Sequence, residues 1–147
     1  MLTFELVTEE TLPIVKEMVH SNPGYRTGKS NTDNELKQEY LHNLPKRFTY
    51  FIKADDTYIG LLDYVQNDRD VHLNQLMVHG DYQGYGYGTN AYYTFEEQMK
   101  QQGVSYLRVL PNTEKAKHFW ESLGFTFLAK QPLEEEILVD YYEKQLI

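Results

Sequence analysis

Gly84, Gly86 and Gly88 alternate with Tyr85 and Tyr87 directly after Gln83, and Thr89 closes the run. Glycine reaches positive φ and lets consecutive backbone N–H groups turn inward with no Cβ in the way. The apolar spacing that follows predicts a helix, so these amides stand at a helix N-terminus. Unpaired donors and the positive end of the helix dipole coincide there. The chemistry is anion binding, and a phosphate-bearing ligand is expected on residues 83 to 89. A P-loop is excluded, because no Gly-Lys-Ser/Thr follows. Gly86-x-Gly88-x-x-Ala91 does match a dinucleotide fingerprint. That fold wants an acid about 20 residues further on, and the chain there reads Arg108-Val109-Leu110. The dinucleotide reading predicts thermal stabilisation by NAD.

The elements that carry this loop are legible from spacing. Before it, residues 71 to 78 read as a buried strand, whose alternation puts His72, Asn74, Leu76 and Val78 on one face. After it, Gly88, Ala91, Tyr92, Phe95 and Met99 form one apolar helical stripe, and Gly103 ends the helix. Residues 104 to 110 are strand-like, so strand, helix and strand predict a parallel crossover. Upstream, residues 2 to 7 predict a strand, and Leu12, Val15 and Val19 a helix with Pro13 near its start. Residues 21 to 32 read as a loop. Thr32 and Glu35 then have capping-box spacing, opening a helix with Leu36, Tyr40 and Leu44 inward and Pro45 as its end. Three strands from 48 to 78, joined by short polar turns, predict an antiparallel meander. Asn112 is the expected cap of a helix bearing Ala116, Phe119, Trp120 and Leu123. Two last strands are expected around Gln131-Pro132.

Composition bounds the possibilities. A chain of 147 residues predicts a single domain, residues 1 to 147, able to bury roughly two-thirds of its unfolded surface. A hydrophobic fraction of 41% and 13 tyrosines argue for a packed core. No apolar run is long enough to span a bilayer, and the acidic start MLTFELVTEE is unlike a signal peptide. The absence of cysteine excludes disulfides, thiolate metal sites and Cys nucleophiles, and fits a cytoplasmic protein; no metal site is expected. A net charge of −8 argues against nucleic acid as a partner.

LMVHGDYQGYGYG (76 to 88) resembles the Q/R-x-x-G-x-G/A signature of the GNAT N-acetyltransferase family, with Gln83, Gly86 and Gly88 at the signature positions. NTEKAKHFWESLGF (112 to 125) resembles its second motif. The resemblance implies a mixed, mostly antiparallel α/β sheet of about seven strands flanked by about four helices. It also implies acetyl-CoA as donor and coenzyme A as product. The family's pyrophosphate would lie on the amides of Gln83, Gly84, Tyr85, Gly86, Tyr87, Gly88 and Thr89. The pantetheine arm would pair with the backbone of Leu76, Met77 and Val78, an N–H there holding the thioester carbonyl. Asn112 would contact that arm, Lys115 the phosphates, and Phe119 the channel.

Attack on a thioester needs a neutral amine, so a route for proton removal is required. His72 falls where histone-type members of the family carry a glutamate base, and it matches the first of the paired histidines in the serotonin N-acetyltransferase group. Asn74 stands in place of the second. Trp120 replaces a tyrosine that serves many relatives as general acid, and Tyr142, Tyr141 or Tyr64 are candidates to substitute for it. For the acceptor, Tyr25, Arg26, Asp63 and the stretch Glu134 to Glu136 are candidates. The acids would favour a cationic acceptor, and Arg26 one bearing a carboxylate. The expected partner is a small-molecule or peptide amine, with no nucleic acid and no membrane, and homodimerisation is left open. A competing reading is a CoA-binding sensor without turnover, to which the loss of the motif tyrosine points.

Overall fold

The computed structural model describes residues 1–22, 32–41, 44–134 and 137–147. Seven strands lie in the order β1-β2-β3-β4-β5-β7-β6, mixed and mostly antiparallel, and four α-helices accompany them among the described residues. The expected sheet and helices are therefore present. By its contacts the chain divides into two compact units, residues 1–64 with 75–94 and residues 65–74 with 95–147.

The first unit holds β1 (Leu2–Leu6), α1 (Leu12–His20), α2 (Asp33–Tyr40), β2 (Arg47–Ala54) and most of β3 (Thr57–Asn67). It also takes the second half of β4 (Asp70–Val78) and the start of α3 (Tyr87–Gln101). Strand β1 pairs antiparallel with β2, from Leu2↔Ala54 to Leu6↔Tyr50. Helix α1 turns Leu12, Val15, Met18 and Val19 onto Phe51, Leu61 and Met77, and α2 adds Leu36 and Tyr40 to the same cluster. Thr32 caps the helix as expected, its Oγ1 accepting the Glu35 N–H at 3.3 Å, while the Glu35 carboxylate takes the Thr32 hydroxyl proton at 2.8 Å in place of the reciprocal backbone bond of a full capping box. The helix it opens is shorter than the spacing suggests. Leu41 leaves the helical region at φ −113, ψ 41, and Leu44 is 58% exposed rather than inward. At Gly60 the lack of a side chain is structural, because a Cβ there would sit 2.2 Å from the Met77 carbonyl oxygen.

The second unit holds the rest of β3, β4 and α3, then β5 (Tyr106–Val109), α4 (Glu114–Ser122), β6 (Thr126–Glu134) and β7 (Ile137–Gln145). The predicted crossover is real, since β4 and β5 pair in parallel from Asp70↔Tyr106 to His72↔Arg108. Antiparallel β7 follows on β5, and β6 on β7. Lys144 ties three elements together, pairing with Glu96 of α3 at 2.6 Å and donating to the Leu123 carbonyl behind α4 at 2.7 Å.

Two expectations change here. Strand β6 runs straight through Gln131 and Pro132, with Pro132 opposite Leu138, so no turn falls at those residues. Proline is tolerated because β6 ends the strand order. The cap of α4 is Thr113, whose Oγ1 accepts the Ala116 N–H at 3.0 Å, and not Asn112. Thr113→Ala should therefore cost about 1 kcal/mol of stability in urea unfolding, while Asn112→Ala should cost almost nothing.

Candidate functional site

In the first unit, the end of β4 and the glycine run are anchored by side chains distant in sequence. The Val78 carbonyl accepts from Asn22 Nδ2 at 2.9 Å and from Gln83 Nε2 at 3.0 Å. Gln83 Nε2 donates to Asn22 Oδ1 as well. The His79 N–H reaches the Ile59 carbonyl at 2.7 Å. His79 itself is buried, its Nδ1 accepting the Asp81 N–H at 3.0 Å and its Nε2 lying 3.5 Å from Glu17 Oε1. The Gly80 N–H donates to Ser21 Oγ at 3.1 Å. Asn22, Ser21 and His79 are parts of the site that sequence reasoning missed. Nothing in a polar loop residue announces a partner some sixty positions on.

These anchors present the loop in the conformation its composition demands. Gly84 has φ +86 and Gly86 φ +82, and a Cβ built at either meets nothing within 4 Å. The amides from Gly84 to Thr89 have no hydrogen-bond acceptor among the described residues, while the Gly86 carbonyl accepts the Asn90 N–H at 3.1 Å and opens α3. Tyr85 is 74% exposed, and Tyr87 packs edge-on to Tyr82. The result is an open concavity of unpaired donors at the start of a 15-residue helix, a fitting seat for a diphosphate. Leu76 and Val78 are half-buried on one face of β4, and Met77 is buried on the other.

In the second unit, His72 and Tyr141 meet edge-to-face at 5.8 Å beside a cavity of about 410 Å³. Asp70, Arg108, Asn67 and Gln131 also line it. Arg108 Nε donates to Glu143 Oε2 at 2.8 Å, and its Nη1 to Asp70 Oδ2 at 3.4 Å. Burial first, and then the Arg108 cation, hold the His72 imidazole below the ordinary histidine pKa. Asn74 is exposed on the same strand face. Tyr142 lies on the other face of β7 from Tyr141, buried and edge-on to Phe127. Of that pair, then, it is Tyr141 that β7 brings to His72.

The remaining candidates are placed as follows. Asn112 and Lys115 are exposed in the second unit, and Phe119 is half-buried against Trp120. Trp120 is buried between Phe119 and Phe125. Asp63 is 1% exposed, its carboxylate held by Arg47 Nε at 3.1 Å and by the Thr49 hydroxyl, so it edges no cleft. Tyr64 is buried in a stack with Phe48 and Tyr50, and burial drives its phenol far above the usual range. Tyr25, Arg26, Glu135 and Glu136 lie outside the described residues.

A parallel crossover with an open glycine turn between strand and helix defines an anion-binding protein of the α/β class. The chain belongs to the Acetyltransferase (GNAT) family, whose sequence profile matches residues 15–125. Members of this family use acetyl-CoA as donor. The chain is similar to an acetyltransferase from Thermus thermophilus, with 23% identity, 98% of this chain and 96% of that one covered, and a TM-score of 0.83. It is similar to the Salmonella typhimurium acetyl transferase that modifies the N-terminal serine of ribosomal protein L7/L12, at 13% identity, coverage of 98% and 94%, and TM-score 0.78. A third likeness is to the PaiA N-acetyltransferase of Thermoplasma acidophilum in complex with coenzyme A, at 16% identity, coverage of 99% and 99%, and TM-score 0.72. At these identities the likeness is one of fold. No curated protein sequence matches the chain. Among the described residues, no helix is long and apolar enough to cross a membrane.

Proposed function

We propose that this chain is a cytoplasmic acetyl-CoA-dependent N-acetyltransferase that acts on a primary amine of a small molecule or peptide by direct transfer in a ternary complex. The observation that carries this reading is the open turn at Gly84 and Gly86. Its positive φ values and unpaired amides at the start of α3 suit an anion such as a diphosphate. The donor supplies an acetyl group activated as a thioester. The chain supplies the rest: amides from Gln83 to Thr89 for the phosphates, the backbone of Leu76 to Val78 for the arm, and His72 for the amine's proton. Asn112, Lys115 and Phe119 complete the cofactor set in this reading. Thiol release from acetyl-CoA in the presence of an amine panel tests it.

His72 has a suitable state for this work. Its lowered pKa keeps the imidazole neutral, and so able to accept a proton, throughout the neutral range. Activity should therefore fall only as pH drops through a value below 6.5, the ordinary histidine value. In His72→Ala, kcat should drop about 10²-fold, that acidic limb should disappear, and the Kd for CoA should stay unchanged. A limb that survives the substitution would remove His72 from the mechanism. Tyr141, beside His72, is better placed than Tyr142 to serve the same chemistry.

One observation favours a second reading, a CoA-binding sensor. Trp120 stands where many relatives have a tyrosine, and its indole is buried among aromatic rings with no titratable proton to give. Tight CoA binding with no thiol release from any amine would establish the sensor.

A further inference from the structure

From the cavity beside His72 we infer the class of acceptor: an α-amine whose neighbouring carbon bears a carbonyl, as in a peptide N-terminus or an amino acid. The inference rests on the acetyltransferase reading and on His72 as proton acceptor. Its basis is the inventory of donors and acceptors around one space of about 410 Å³, the size of a residue or two.

Arg108 decides the matter. A guanidinium carries five N–H donors and no acceptor. Here Nε is spent on Glu143 and Nη1 reaches Asp70, the guanidinium lies over the Tyr106 ring at 5.9 Å, and among the described residues Nη2 has no hydrogen-bond partner. Arg108 lines a cavity that Asn67 and Gln131 also line, and the side-chain amides of those two have no hydrogen-bond partner among the described residues. Such a lining wants a ligand that offers oxygen acceptors as well as N–H donors. A polyamine offers donors only, and would set its ammonium groups against a fixed cation. A lysine side chain brings its amine with no carbonyl near it. An α-aminoacyl group offers both: its ammonium faces the Asp70 carboxylate, and the adjoining carbonyl takes the Arg108 N–H groups. The cavity supplies one carboxylate, enough for one ammonium and too few for a polycation.

The step balances without a further reactant. The ammonium gives a proton to His72, directly or through water, and the neutral nitrogen attacks the thioester carbon. A C–N bond forms, the C–S bond breaks, coenzyme A leaves as thiolate, and the second amine proton passes to solvent or to that thiolate.

The test uses the full chain at saturating acetyl-CoA, with thiol release and the mass of the product as readouts. The acceptors are trialanine amide, free alanine, spermidine and Nα-acetyl-lysine amide. Trialanine amide or alanine should exceed spermidine and Nα-acetyl-lysine amide at least tenfold in kcat/KM, and which of the two leads tells a peptide end from a free amino acid. Arg108→Gln should raise KM for the preferred acceptor about tenfold, the scale of one hydrogen bond to a charged donor, and leave the Kd for CoA unchanged. Gln131→Ala, at an exposed position on β6, should raise the same KM severalfold with no loss of fold. Spermidine or Nα-acetyl-lysine amide used as well or better would overturn the acceptor class and leave the acetyltransferase standing. CoA binding with no thiol release from any acceptor would overturn both.

Discussion

Replacing Gly86 with valine should abolish measurable CoA binding and leave a folded protein. At φ +82 an L residue pays roughly 1–2 kcal/mol in backbone strain, and a β-branched residue is the least able to adopt that conformation. The built Cβ touches no protein atom within 4 Å, so the core is untouched and the thermal transition should move by only a few degrees. The same open space is where the phosphates would lie, so the new side chain projects into the ligand's seat. Losing even two charge-assisted hydrogen bonds, at about 1.5–3 kcal/mol each, lowers affinity at least ~100-fold. Isothermal titration with CoA reads this directly. Unaltered affinity in a folded variant would show that the diphosphate is held elsewhere.

Gly60→Ala carries the second large effect, and it acts through stability. The added methyl would stand 2.2 Å from the Met77 carbonyl oxygen, which is backbone and cannot swing aside as a flexible side chain would. Ile52 Cδ1, at 3.1 Å, closes the other side. The strands must part at this point, at an expected cost of about 3 kcal/mol. For a chain of this length that lowers Tm by roughly 6–12 °C. Since Met77 belongs to the stretch proposed to face the pantetheine arm, the surviving folded protein should also bind CoA more weakly. A variant with the parent's Tm would mean that β3 and β4 are not in contact at this point.

How much was readable in advance follows from which physics is local. The glycine run was legible because its backbone demand is written in the residue type: Gly84 and Gly86 sit at positive φ as their composition required. The stripe of Ala91, Tyr92, Phe95 and Met99 was legible because helical spacing and burial coincide. Where two neighbours had similar chemistry, the sequence was silent. Asn112 and Thr113 are both good caps, and only backbone geometry selects Thr113. Tyr141 and Tyr142 differ by one position, and strand register alone decides which meets His72. Asp63, a candidate for the acceptor site from its place on the third strand, is buried. Its partners Arg47 and Thr49 come from another strand, a pairing that no local pattern shows. The hold of Asn22 on Gln83 and Val78 is of the same non-local kind.

The course of β6 has a further effect. It is one of the two edge strands of the sheet, and it carries exposed Phe127 and Leu128. A bare apolar border of this sort invites another polypeptide to zip alongside it. Pro132 interrupts the row of amide donors, and the irregular register from Pro132 to Glu134 bends the ladder, so a growing fibril would find no continuous template there.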